Sequence, residues 1–282
     1  MSTKKEAKTI EAVCHAQRVR VNVIKTMNGA RNRCVATIAS NIGYHSFQEE
    51  SDRKKLYGKA MKVFKIIDPD LSEKDQIESI TEILKDKKAA EQLSEYLPVI
   101  CYAQEYLATL GLSRDATEKH MIELIRQLPI CEWWVAEKGR AEKGLAVIIG
   151  EAGDISNYEN PAKLWKRFGV AVLNGVRQGG LKKGSPAEKW IEHGYCKRRR
   201  SALWTIGDSL LKNNGRNGNT GKYKILYNKR KIFEVERLKK QWIAEGNKEK
   251  DFKLMTSHRR AQRYVEKRLL RDLWNQWHGK FN

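Results

Sequence analysis

Apolar residues recur at every third or fourth position along most of this chain, the spacing of helices with one buried face. Over 9–46, Val13, Val21, Ile24 and Met27 fall on one side of a helical pattern, and Arg18, Arg20, Lys25, Arg31 and Arg33 on the other. Gly29 and Gly43 are expected to interrupt it, because glycine is a poor helix former. Lys62 to Ile67 reads as a helix end halted at Asp68-Pro69, since proline disfavours helix in the residue before it. Ser72 to Asp75 has the form of a capping box leading into Ile77, Ile80, Ile83 and Leu84. A more apolar helix is predicted from Leu93 to Leu110, closed by Gly111. Asp115 to Glu118 then caps another, with Met121, Ile122, Ile125 and Leu128 turned inward before Pro129.

From Trp133 the pattern predicts a new unit. Gly139 and Gly144 bracket a turn, and Leu145 to Ile149 opens an apolar helix ending at 150–154. Asn160 suits an N-cap and Pro161 the first helical position of a second helix; Leu164, Trp165 and Phe168 line its inner face and Gly169 ends it. Two short helices joined by a glycine-containing turn are one way to hold a DNA backbone, and also describe a plain helical hairpin. Residues 174–184 form a glycine- and cation-rich loop with Arg177, Lys182 and Lys183. Lys197-Arg-Arg-Arg200 leads into an apolar helix over 201–211, and 212–222 is a polar, Gly/Asn-rich loop. Tyr223 to Trp242 reads as a helix carrying Tyr227, Phe233 and Leu238. In a last helix, Met255 to Trp277, Ala261, Val265, Leu269, Leu273 and Trp277 fall at every fourth position. Arg259, Arg260, Arg263, Lys267, Arg268 and Arg271 cover its remaining surface, a face either solvated or on nucleic acid. The expected fold is mainly α: a helical linker, coiled-coil or dimerisation region over 1–128, then a compact basic helical domain over 129–282.

Charge sharpens this division. Of the net +21, residues 1–160 contribute nothing, with 24 Lys/Arg against 24 Asp/Glu, whereas 161–282 carry 31 against 10. A neutral half joined to a strongly basic one calls for a polyanionic partner. Basic residues interleaved with core-type aromatics favour nucleic acid over a membrane surface. There is no run of eighteen apolar residues to span a bilayer and no apolar signal core at the start, so a cytoplasmic, nucleoid-associated protein is expected. Five dispersed cysteines without a Cys-x-x-Cys pair, and six histidines without His-x-x-x-His, argue against a disulfide framework or a zinc site. The glycine loop lacks the Gly-Lys-Ser/Thr ending of a nucleotide-binding loop, so ATP binding is not expected, and no cofactor or metal is.

The stretch 151–169, Glu-Ala-Gly-Asp-Ile-Ser-Asn-Tyr-Glu-Asn-Pro-Ala-Lys-Leu-Trp-Lys-Arg-Phe-Gly, resembles the signature that opens the C-terminal domain of DEDD-type insertion-sequence transposases, a family that includes pilin-gene invertases. Lys197 to Leu211, Lys222 to Leu238 and His258 to Trp277 are similar to the elements that follow it there, and Ala16 to Gly43 to the family's arginine-rich linker helix. The resemblance implies a compact helical transposase C-terminal-like domain acting on DNA or, in some lineages, with a structured RNA. Two departures stand out. The nuclease domain, usually announced by Gly-Ile-Asp-Val-Ser/Ala-Lys, has no counterpart here, and with it goes the carboxylate cluster for two-metal cleavage. The family's serine nucleophile, in a Ser-Gly pair, is matched by Arg177-Gln178-Gly179-Gly180. Ser185 and Ser201 lie nearby without that pairing, and Cys196 reads as a chance neighbour of the cations.

The expectation is therefore a non-catalytic, transposase-derived protein binding DNA or structured RNA. Arg177, Lys182, Lys183, Lys197, Arg198, Arg199 and Arg200 would contact phosphates, with Arg259, Arg260 and Arg263 from the last helix. A homo-oligomer, a split recombinase whose nuclease sits on another chain, and an RNA-binding structural protein of a ribonucleoprotein are the arrangements left open.

Overall fold

The computed structural model describes residues 3–45, 48–179, 181, 184–213 and 221–279. The chain is mainly α-helical and divides into two compact units. One is Val19–Glu118; the other combines residues up to Arg18 with those from Lys119 onward. The boundary expected at 128 thus sits beside a division at 118/119, and the first helical turns group with the basic part. Among the described residues no helix is long and apolar enough to cross a membrane.

The Val19–Glu118 unit draws on α1 (Lys4–Asn41), α2 (Glu50–Ile66), α3 (Glu73–Leu84), α4 (Lys87–Ser94) and α5 (Leu97–Arg126). Val35, Ile38, Val63, Ile80, Leu93 and Ile100 are fully buried together, so this region has a core of its own. Ser72 caps α3 by accepting from the Asp75 amide at 3.2 Å, as its sequence indicates, and Asp86 caps α4 through the Ala89 amide at 3.1 Å. Two expected breaks do not occur. α1 runs through Gly29, and α5 runs through Gly111 and Asp115, joining two predicted helices into one of 30 residues. An isolated glycine costs a helix about 1 kcal/mol, less than the hydrogen bonds kept by continuing. Asp115 pairs with Arg114 at 2.7 Å instead of capping.

The second unit adds α6 (Ile130–Ala136), α7 (Glu142–Ala152), α8 (Pro161–Arg167), a hairpin of β1 (Val172–Leu173) and β2 (Val176–Arg177), then α9 (Ala187–His193), α10 (Lys197–Asn213), α11 (Lys222–Ala244) and α12 (Leu254–Trp277). α12 is its central member: Ala261, Val265, Leu269 and Leu273 are fully buried at every fourth position, against α8, α10 and α11. Trp134, Leu145, Ile148, Phe168, Leu203 and Tyr223 complete the core. The hairpin lies where only a loop was expected. Asn174 (φ 49°) and Gly175 (φ 76°) are both left-handed, the two-residue turn that an Asn-Gly pair favours, and Leu173 pairs with Val176. Phe233 is exposed because α11 turns Tyr223, Tyr227 and Glu234 inward.

Gly144 and Gly150, expected at helix edges, lie within α7, and Gly150 has a packing reason. A Cβ there would sit 2.5 Å from the Gln17 Cβ on α1. Gly150→Ala is expected to destabilise this unit by about 1–3 kcal/mol through overpacking. Thermal denaturation checks this; an unchanged melting temperature would mean that the approach of α1 to α7 is not close.

Candidate nucleic-acid interface

The charge asymmetry follows the structural division. Val19–Glu118 carries 15 Lys/Arg and 15 Asp/Glu, so the whole +21 belongs to the other unit. How that unit tolerates so many cations is visible in the first turn of α10. Arg198 and Arg199 both pair with Glu151 at the end of α7, a buried carboxylate that also accepts from Gln17 Nε2 at 2.8 Å. Arg199 lies 3.4 Å from it, and Arg167 Nε donates to the Glu151 carbonyl at 3.0 Å. The third arginine reaches elsewhere: Arg200 Nη2 is 2.9 Å from the carboxylate of Glu266, which is fully buried on α12 and also accepts from Gln262. Burial pushes the Glu266 carboxyl above its ordinary range, against the pull of Arg200. Only Lys197 of the four-cation run is exposed without such a partner.

The cations of α12 are divided similarly. Arg263 donates to the carbonyls of Gly169, Val170 and Ala171 at 3.2–3.4 Å, tying α12 to the chain leaving α8. Its pKa is pushed down to about 10 by burial and by the nearby charges of Arg200 and Arg177. The structure therefore does bring Arg177, Arg200 and Arg263 together. Arg260 lies 3.8 Å from Glu234, a buried carboxylate that Arg237 also holds at 2.7 Å. Burial alone would raise the Glu234 pKa; hydrogen bonds from Arg237 and Arg230 outweigh it and the net shift is downward. Arg259 is exposed. Thus, of the ten cations singled out in the sequence, Lys182 and Lys183 lie outside the described residues and five serve buried carboxylates or carbonyls. The side chains of Arg177, Lys197 and Arg259 make no hydrogen bond or ion pair to the described residues.

A second group of cations was not singled out. α7 ends at Gly153 (φ 81°), Asp154 accepts from the Ser156 amide at 2.9 Å to turn the chain, and Asn160 caps α8 through the amides of Ala162 and Lys163. Pro161 holds the first helical position. This turn and α8 border a cavity of about 510 Å³ lined by Tyr158, Lys163, Lys166, Arg167, Gly194 and Arg199, with Asn157 and Glu159. Lys163, Lys166 and Arg167 stand at i, i+3 and i+4 of one helix face, a periodicity present in the sequence but overshadowed by the contiguous run downstream. Tyr158 is held by its hydroxyl donating to the Ala152 carbonyl at 2.8 Å, and burial raises its pKa. A third cationic group surrounds His258, which meets the Tyr227 hydroxyl at 2.6 Å. Burial, then Lys231, Arg259 and Lys224, lower the His258 pKa, against Asp208, and favour the neutral ring.

Ser185 is half-buried ahead of α9 and Ser201 is exposed on α10. Among the described residues no group of three or more His, Cys, Asp or Glu side chains is placed to hold a metal ion. In comparisons with known protein families, curated proteins and solved structures, the chain finds no match.

Proposed function

We propose that this chain binds nucleic acid, DNA or structured RNA, by gripping the phosphate backbone with its basic unit, without catalysing a reaction of its own. One observation carries this reading: the entire charge excess lies in one compact unit, and even with Glu234, Glu266 and Asp272 buried against cations that unit keeps Arg177, Lys197 and Arg259 exposed. A surface of that kind binds polyanions by releasing their counterions. The likeness of 151–169 to transposase C-terminal domains supports DNA as a partner; that stretch runs from the last residues of α7 through a short 3-10 turn at Ile155–Asn157 into α8, beside a cation-lined cavity. On the same reading the protein works at the nucleoid, as an oligomer or beside a separate nuclease chain.

The test is fluorescence anisotropy with duplex DNA, single-stranded DNA and a folded RNA in low-salt buffer. Binding that weakens steeply with salt is the expected result, and failure to bind any of the three rejects the function. Nucleic acid that co-purifies and survives DNase would select RNA.

A further inference from the structure

The three cationic groups differ in one respect. Arg177, Lys197 and Arg259 are exposed, whereas Lys163, Lys166, Arg167 and Arg199 converge on one cavity. At about 510 Å³ it falls within the size range of sites that enclose a small ligand or a single nucleotide. Its one acidic lining residue, Glu159, lies 3.9 Å from Lys163 and offsets one of the four cations. Two of the others are set in place before any ligand arrives: Arg199 by the buried Glu151 carboxylate and Arg167 by the Glu151 carbonyl. Pre-setting these guanidinium groups removes much of the entropy cost of ordering them on binding. Gly194 (φ 65°), where a Cβ would lie 3.4 Å from the Lys166 side chain, leaves room on that wall.

Resting on the proposed function, we infer that this cavity receives a phosphomonoester, the terminal phosphate of a nucleic-acid strand. A phosphodiester brings one negative charge, whereas a terminal phosphate brings about 1.5 to 2 at neutral pH. With Glu159 and the Glu151 carboxylate each offsetting one of the four cations, the cavity keeps a local excess of two, which matches the second better, and arginine forks together with lysine point charges suit its oxygens. Internal phosphates then fall to the exposed cations. A free mononucleotide offers the same group, so the source is decided by experiment.

Titration calorimetry on the full chain would compare 12-residue oligonucleotides bearing a 5′-phosphate, a 3′-phosphate or neither, together with a nucleoside monophosphate. A preference of about tenfold for one phosphorylated end is expected, the size of one extra charge in a partly screened site. Lys163→Ala/Lys166→Ala, two exposed or half-exposed positions, should erase that preference, so that the phosphorylated and unphosphorylated strands bind with one affinity. Arg259→Ala should weaken all three strands alike. Equal affinity for all strands, or a preference that survives in the double variant, overturns the cavity assignment and leaves nucleic-acid binding intact. If no strand binds, the proposed function itself fails and the mononucleotide arm decides: binding lost in the double variant supports the cavity, and no binding ends it. A mononucleotide that binds as tightly as the phosphorylated strand would identify a free nucleotide as the ligand and overturn the strand end.

Discussion

Arg200→Ala should destabilise the basic unit by about 3–5 kcal/mol, the usual cost of stripping a buried ion of its partner, a fall on the order of 10 °C in melting temperature for a unit of this size. The reason lies at the other end of the pair. Glu266 is fully buried on α12, with Arg200 as its ion-pair partner and Gln262 donating a hydrogen bond, and a Cβ on Gly207 of α10 would come within 2.8 Å of its Cγ. The site cannot open easily to admit water. The sign of the pH dependence follows. Because burial raises the Glu266 pKa, its protonated form is the one the fold favours; that contribution is present below the ordinary glutamate range and is lost as pH rises through the raised value. Arg200 offsets the loss by stabilising the ionised form. Without it the deficit should be largest at neutral and alkaline pH and should shrink on acidification toward the ordinary glutamate range. Replacing both partners, Arg200→Leu with Glu266→Leu, should recover most of the stability, since a buried pair exchanged for apolar groups is often neutral. Thermal melts of the three variants at two pH values check this, and a single variant as stable as the parent at neutral pH would show that the pair contributes nothing.

That pair also shows what the sequence hides. Local signals were legible: Ser72 before an apolar run, Asn160-Pro161, and the fourfold spacing of Ala261 to Leu273 each mark an element that forms where expected. Competition between local signals was less legible. Gly111 and Asp115 resemble a stop and a start, but α5 continues because no proline forces a break. Asn174-Gly175 between Val172-Leu173 and Val176 was a hairpin signal masked by the surrounding cations. Least legible were partners distant along the chain. Glu151 is 47 residues from Arg198, and nothing in its neighbourhood marks it as the buried carboxylate that α10 answers. A run of four cations therefore reads as a surface patch from local sequence, whereas three of its members are internal ties. The cavity-lining Lys163, Lys166 and Arg167 were visible as one helix face, and only the fold shows what they face.

The same distinction governs how binding should be tested. Reversing the charges of Arg198, Arg199 and Arg200 would place new carboxylates against Glu151 and Glu266, so a loss of binding would be indistinguishable from a loss of fold. Arg177, Lys197 and Arg259 are exposed, and their removal should leave stability within about 0.5 kcal/mol. If six or more phosphates are neutralised in the complex, raising salt from about 50 to about 200 mM should weaken binding by the parent on the order of a thousandfold. The triple alanine variant should bind more weakly at low salt, and its plot of log affinity against log salt should be flatter by about one unit per contact removed, about three in all. Neutralising Arg198 and Arg199 instead should lower the melting temperature, through the loss of both cations that hold the buried Glu151 carboxylate. A triple variant that keeps the parent slope would mean that these side chains do not touch phosphate, whatever the net charge of the unit.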